Sequence, residues 1–444
     1  MIFRQTVVGW SVASALMVMS GGANASGFAL IEQSGSGLGN AYAGGAASAE
    51  DASTIFYNPA GMSRLSGKQI VVAANAIRPS AEFSGTVTGL APFQAGGTST
   101  GGDAGDWAIV PNVYFAMEVN PRTRIGLGIN APFGLKTEYD SNWMGRFQAV
   151  KSKLETINLN PSVSYQVSDN ISVGAGLNYQ HVKGDLTSAV NYPAVVYAGA
   201  LAAGASAAAA AASATPLANV EGVSTLTGSD SAWGYNLGAL FNVSTQTRVG
   251  LAYRSSIKYT LSGSISFTNR PAPLAAALPD QPVTLAIKMP DSFSVSAFHQ
   301  LNNKWDVMAD ASWTGWSDFQ QLNVQKANGA SLSTTPENWR DTWRVSVGAN
   351  HHYSEKWTAR IGVAYDQTPV SDTYRTARIP DGDRTWLALG GQYKPSKTSA
   401  INAGYAHLFV RDASINQTVA GSGSLVGNYS NSVDILSVQY THGF

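Results

Sequence analysis

The connections between candidate strands alternate strictly in length. Beyond residue 66, runs with period-2 alternation of apolar and polar side chains are joined first by a tight turn, then by a long polar stretch, through to the C-terminus. Tight turns fall at Asn120-Pro121-Arg122, Asp169-Asn170, Ser244-Thr245, Asn302-Asn303, Ser354-Glu355 and Pro395-Ser396-Lys397. Long stretches cover 85–104, 140–152, 188–224, 268–282, 325–337, 371–382 and 414–431. A soluble sandwich or propeller has no reason to alternate in this way. A barrel crossing an outer membrane does, with tight periplasmic turns and long outer loops. The strand-like runs are 67–84, 105–119, 123–139, 153–168, 171–187, 225–243, 246–267, 283–300, 304–324, 338–353, 356–370, 383–394, 398–413 and 432–444. They number about fourteen, an even count of the kind expected for a single-chain outer-membrane barrel.

Composition agrees. Charged residues make up 13% of the chain, against about 25% in an average soluble domain. Tyr (18) and Trp (11) are abundant, as lipid contact favours. Lys+Arg and Asp+Glu balance at 28 each, so no net field points to nucleic acid. Past the N-terminus no run of about 20 apolar residues would serve as a spanning helix. A closed β-barrel is then the remaining way to satisfy the backbone in lipid. The sequence has no Cys, which excludes disulfides and thiolate metal sites. No metal site or cofactor is expected.

Residues 1–25 read as a signal peptide: Arg4, the apolar stretch 7–19, then Ala23-Asn24-Ala25 as the cleavage site, giving a mature start at Ser26. The alternative is a retained anchor. Residues 26–66 are rich in Gly, Ala and Ser, follow neither period, and stop at Asn58-Pro59-Ala60. A barrel of about 14 strands is too wide to be filled by its own lumenal side chains, so 26–66 is expected to fold inside it as a plug, or hatch. Residues 67–444 form the barrel.

Faces can be read strand by strand. Trp343, Val345, Val347 and Ala349 oppose Arg344, Ser346, Gly348 and Asn350. The apolar set should face lipid, because a charge there costs roughly 2–4 kcal/mol at mid-bilayer. Trp305 and Trp313 suit interfacial girdles, and the last strand ends on Phe444. Two segments break the pattern. The Ala-rich stretch at 189–216 is either a helix within an outer loop or a low-complexity linker. Pro132-Phe133-Gly134 interrupts the third strand, where Pro cannot donate to a ladder. A kink is expected there, either opening a gap in the wall or filled from inside.

These residues together resemble the FadL-type outer-membrane transporters of long-chain fatty acids and hydrocarbons. The resemblance covers essentially the whole mature chain. It rests on SGFALIEQSGSGLGNAYAG at its start, on Asn58-Pro59-Ala60, on the third-strand kink, on SWTGWSDF (312–319) and on NWRDTWRVSVGA (338–349). RIGVAYDQTPV (360–370) and RTARIPDGDRTWLALG (375–390) extend it. It implies a 14-stranded barrel with an N-terminal hatch in the outer membrane of a Gram-negative bacterium. A hydrophobic small molecule, foremost a long-chain fatty acid, would be caught among outer loops 188–224 and 268–282. It would pass to an inner pocket and leave sideways at Pro132, Phe133 and Gly134 as the hatch carrying Asn58, Pro59 and Ala60 moves. The same resemblance places Lys183 where a basic residue meets the ligand carboxylate. Arg340 and Arg344 are further candidates; each could equally be a lumenal charge paired with Asp310 or Asp366.

Aromatic or aliphatic hydrocarbons are the alternative solutes. No ATP-binding motif is present, so passive uptake is expected, by a monomer in contact with lipid and lipopolysaccharide. A hydrolase would need a nucleophile constellation, and none of the six His sits in one. An open porin would conduct ions, which a plugged barrel would not.

Overall fold

The structure, a computed structural model, describes residues 26–90 and 94–444. The expected signal peptide, residues 1–25, lies outside the described residues. The runs past residue 66 form one closed antiparallel sheet of fourteen strands among the described residues. They are β1 (Lys68–Thr88), β2 (Ala108–Asn120), β3 (Thr123–Asn130 and Gly134–Glu138), β4 (Lys151–Gln166), β5 (Ile171–Asn191), β6 (Glu221–Asn242) and β7 (Thr247–Arg254 and Ile257–Phe267). Then follow β8 (Gln281–Met289 and Ser292–Asn302), β9 (Trp305–Thr314 and Gln321–Lys326), β10 (Ser331–Pro336 and Thr342–His352), β11 (Trp357–Asp366), β12 (Arg384–Tyr393), β13 (Ser399–Val410 and Ala413–Val419) and β14 (Gly423–Gly443). Each strand pairs with the next, and β1 closes on β14 from Gln69↔Gly443 to Thr88↔Ser424. Closure leaves no sheet edge, which a sheet in lipid requires.

The two faces follow the sequence alternation through the membrane belt. On β10 and β11, Trp343, Val345, Val347, Ile361 and Val363 are 44–55% exposed, whereas Arg344 and Arg360 are 5–6% exposed. The inner face around β3–β6 is an asparagine network. Asn158 donates to Asn130 and Asn178, and Asn160 and Asn178 both donate to Asn236, at 2.9–3.1 Å.

Further out the alternation inverts. On β5, β7 and β8 the buried inward residues are Val182, Tyr259, Leu261, Ile287 and Met289. Their neighbours Lys183, Lys258 and Lys288 sit on the opposite face, and Lys258 pairs across the ladder with Lys288. The barrel continues past the bilayer there. With water outside, its apolar side turns inward.

Two of the expected long loops are therefore corrected. Residues 325–337 and 414–431 are largely strand, joined by tight turns after Lys326 and Val419. Their Ser, Thr and Asn residues are mostly exposed, whereas Ile415, Leu425 and Tyr429 of the second stretch are buried on its inner face, so these segments read as polar loop while the ladder continues. The Ala-rich stretch carries two helices, Tyr192–Ala202 and Ala207–Ala214. Asn191 and Ser206 cap them by accepting from the backbone N–H groups of Ala194 and Ala209.

The hatch lies inside the lumen. It is built of single turns, among them Gly45–Ser48, Thr54–Tyr57 and Pro59–Arg64. Leu38, Ile55, Asn58, Ala60 and Met62 are 0% exposed. Small residues on both sides make this fit.

Candidate functional site

The hatch seats on the wall through Asn58-Pro59-Ala60. The Asn58 Oδ1 accepts from the Ala60 N–H at 3.0 Å and caps the turn Pro59–Arg64. Its Nδ2 donates to the carbonyls of Ala46 in the hatch at 2.7 Å and Ala239 on β6 at 3.0 Å. One side chain thus satisfies hatch and wall together. The close approach depends on two wall glycines. A Cβ on Gly238 would meet Asn58 Oδ1 at 1.9 Å, and one on Gly174 would meet the Ala60 nitrogen at 2.4 Å.

The kink in β3 is the second element. The ladder from β2 to β3 ends at Val113↔Ile129, and among the described residues Ala108 to Asn112 have β1 as their only ladder partner. On its other side β3 keeps its ladder to β4 up to Asn130↔Asn158 and resumes it at Gly134↔Glu155. Between those points the freed backbone groups are satisfied from within. Leu30 N–H donates to the Pro132 carbonyl at 2.8 Å, Gly134 N–H to the Phe28 carbonyl at 2.9 Å, and Gln33 Nε2 to the Ala131 carbonyl at 2.8 Å. The Thr156 hydroxyl accepts from Phe133 N–H at 3.0 Å and donates to Phe133 O at 2.7 Å. The start of the hatch thus takes the place of a missing ladder at the kink.

A cavity of about 160 Å³ lies between kink, hatch and the β6–β10 wall. Leu30, Ile31, Phe56, Phe133 and Trp316 make it apolar; Arg254, Arg344 and Asp366 make one part polar. Beside it an aromatic cluster packs Phe28 against Trp316 (4.7 Å), Phe319 (5.5 Å) and Trp339 (5.4 Å). Arg254 donates to Asn178 Oδ1 at 2.6 Å and to the Phe56 carbonyl at 2.9 Å, with its guanidinium 4.3 Å from the Phe56 ring centroid. Arg344 donates to the Ala41 carbonyl at 2.8 Å and lies over Trp386. Neither arginine forms an ion pair among the described residues. Glu32, in the hatch and outside the spanning strands, is 1% exposed, and burial pushes its carboxyl up to about 7 against the pull of Arg344 and Arg384.

Of the basic residues singled out from sequence, only Arg344 borders this cavity. Lys183 does not reach it. It stands on the outward series of β5 with Tyr179 and His181, because the apolar neighbours Val182 and Leu186 take the lumenal side. Arg340 is exposed and donates to the Thr368 carbonyl at 3.4 Å. Pro132 and Phe133 line the cavity, as does Pro59 of the hatch motif. Arg254 was missed, although its signal is visible: Val249, Leu251 and Tyr253 alternate outward and leave Arg254 inward.

A closed barrel with a lipid-facing belt, a seated hatch and an apolar lumenal cavity defines an outer-membrane transporter of hydrophobic compounds. The chain belongs to the outer membrane protein transport protein family (OMPP1/FadL/TodX), whose model matches residues 16–444. That family is made of transporters. The chain is 34% identical to outer membrane protein P1 of Haemophilus influenzae over 418 residues, covering 89% of each. It is 29% identical to the long-chain fatty acid transport protein of Escherichia coli K12, covering 92% of this chain and 93% of that one. A Pseudomonas aeruginosa FadL homologue superposes with a TM-score of 0.85 at 27% identity, covering 94% of this chain and 100% of that one. The Pseudomonas putida toluene transporter TodX matches with a TM-score of 0.65 at 18% identity, covering 95% and 100%, a likeness of fold alone.

Proposed function

We propose that this protein takes up long-chain fatty acids passively and releases them sideways at the β3 kink. The observation that carries the reading is the pairing of an apolar cavity with two lumenal arginines that, among the described residues, have no carboxylate within ion-pair distance, Asp366 being the acidic neighbour of Arg344 across the ladder. Burial of an acyl chain yields roughly 0.8 kcal/mol per CH₂, so capture needs no other energy source. An arginine can then hold the carboxylate by charge-assisted hydrogen bonds. Lateral release is supported by the absence of a ladder between Ala108–Asn112 and the kink, and by Phe133 lining the cavity. The likeness to fatty acid transport proteins over nine-tenths of both chains supports the same substrate class. In this reading the protein acts as a monomer among outer-membrane lipid and lipopolysaccharide, after removal of residues 1–25.

The aromatic cluster around Phe28 and Trp316 favours a second reading, uptake of aromatic hydrocarbons by the same route. Growth of a deletion strain on oleate and on toluene, with and without the gene restored, separates the two. Loss of growth on oleate alone supports the fatty acid reading. Unchanged oleate uptake would overturn it.

A further inference from the structure

A second cavity, of about 280 Å³, opens under the hatch at the end of the barrel that carries the tight turns. The hatch supplies Glu50 and Arg64 to it, and the wall supplies Arg248, Asp306, Arg360 and Lys394. Both carboxylates are already engaged. Glu50 pairs with Arg360 at 2.5 Å and also accepts from Gln392 at 2.7 Å. Asp306 pairs with His352 at 2.7 Å. Among the described residues, Arg64, Arg248 and Lys394 have no carboxylate within ion-pair distance. Arg248 instead donates to the hatch carbonyls of Ala47 and Ser48, at 3.1 and 3.0 Å, and stacks 3.8 Å from the Phe298 centroid. Among the described residues, the exposed Arg64 side chain hydrogen-bonds to Asn242 Oδ1, at 3.4 Å. Arg360, 5% exposed, keeps a buried Nε without a partner.

Four cations thus border one cavity with two engaged carboxylates: Arg248 and Arg360 are buried and held by hydrogen bonds, and Arg64 and Lys394 are exposed at its mouth. Like charges gathered around one cavity repel, most strongly where Arg248 and Arg360 are buried, and an anion between them relieves that cost and gains charge-assisted hydrogen bonds. We propose that this cavity is a periplasm-facing binding site for a small oxyanion, a carboxylate or a phosphate. Because Arg64 comes from the hatch while Arg248 and Lys394 come from the wall, the bound anion bridges the two and holds the hatch seated. The site shares none of its residues with the solute cavity above the hatch, so it does not depend on which hydrophobic compound is carried.

The test uses the full mature protein in detergent at fixed ionic strength, titrated separately with sodium phosphate and sodium octanoate. The readouts are the melting temperature and the hydrogen-exchange protection of residues 59–65. The expected result is a saturable rise in both with at least one anion. Arg64→Gln combined with Lys394→Gln should weaken the apparent affinity by about tenfold or more, the equivalent of about 1.4 kcal/mol. A response to phosphate alone assigns the site to a soluble anion, and a response to octanoate alone assigns it to the head group of an arriving solute. The proposal is overturned if neither anion gives a saturable response, or if the double variant responds like the parent. Loss of the response in the double variant with unchanged oleate uptake would separate this site from the solute cavity.

Discussion

Leu30 donates its backbone N–H to the carbonyl of Pro132 at 2.8 Å, across a sequence separation that joins the start of the hatch to the break in β3. The isolated pairing of Ala29 with Phe133 lies beside it. In lipid an unpaired backbone group costs several kcal/mol, so a strand broken by proline needs a partner. The hatch provides that partner, which couples its position to the state of the wall at this point. Leu30 and Phe133 both line the cavity, so a solute bound there would reach the coupling from inside.

The two lumenal arginines are predicted to set the preference for a charged head group. Arg254→Gln and Arg344→Gln should each weaken oleate binding roughly ten- to hundredfold, the equivalent of about 1.5–3 kcal/mol for a hydrogen bond to a charged group. Binding of toluene should be unchanged. Fluorescence displacement with purified protein measures both.

Lys183→Ala should leave oleate binding and uptake within about twofold of the parent, as expected for a surface substitution. Its side chain is on the outer face of β5. A larger loss in the same binding assay would return Lys183 to the lumen.

Gly238→Ala should unseat the hatch, because the added Cβ would lie 1.9 Å from Asn58 Oδ1. Planar-bilayer recordings should then show ion conductance where the parent shows little. A sealed variant would mean that Asn58 does not hold the plug.

Glu32 makes stability depend on pH. Its ordinary value of 4.5 is raised to about 7 by burial, so between those values the folded chain binds a proton that the unfolded chain has released. Stability should therefore fall as pH rises from about 4.5 to about 7, by on the order of a few kcal/mol. Glu32→Gln should flatten that slope. Urea unfolding in lipid vesicles across the window measures it.

Much of this was legible in the chain because bilayer and ladder impose a period of two on the same residues. The strands of the membrane belt, the lipid-facing valines of β10 and β11, and the break at Pro132 all show it. Reading stopped where the solvent outside changes from lipid to water. Lys183 was singled out by the family resemblance alone, whereas the apolar inner face of β5 at Val182 and Leu186 turns it outward, and polar strands such as Ser331–Pro336 passed for loop. The pairing of Leu30 with Pro132 leaves no local trace, since neither segment has a period and their contact depends on the closed barrel around them.

The central claim is that solute leaves sideways when the first hatch residues detach from the kink. Ala29 and Phe133 face each other as an antiparallel pair, a separation within reach of a disulfide, and the chain has no other cysteine to interfere. Uptake of labelled oleate by cells carrying Ala29→Cys with Phe133→Cys should be blocked under oxidising conditions and restored by reductant. Equal uptake by the cross-linked and reduced protein would contradict the account.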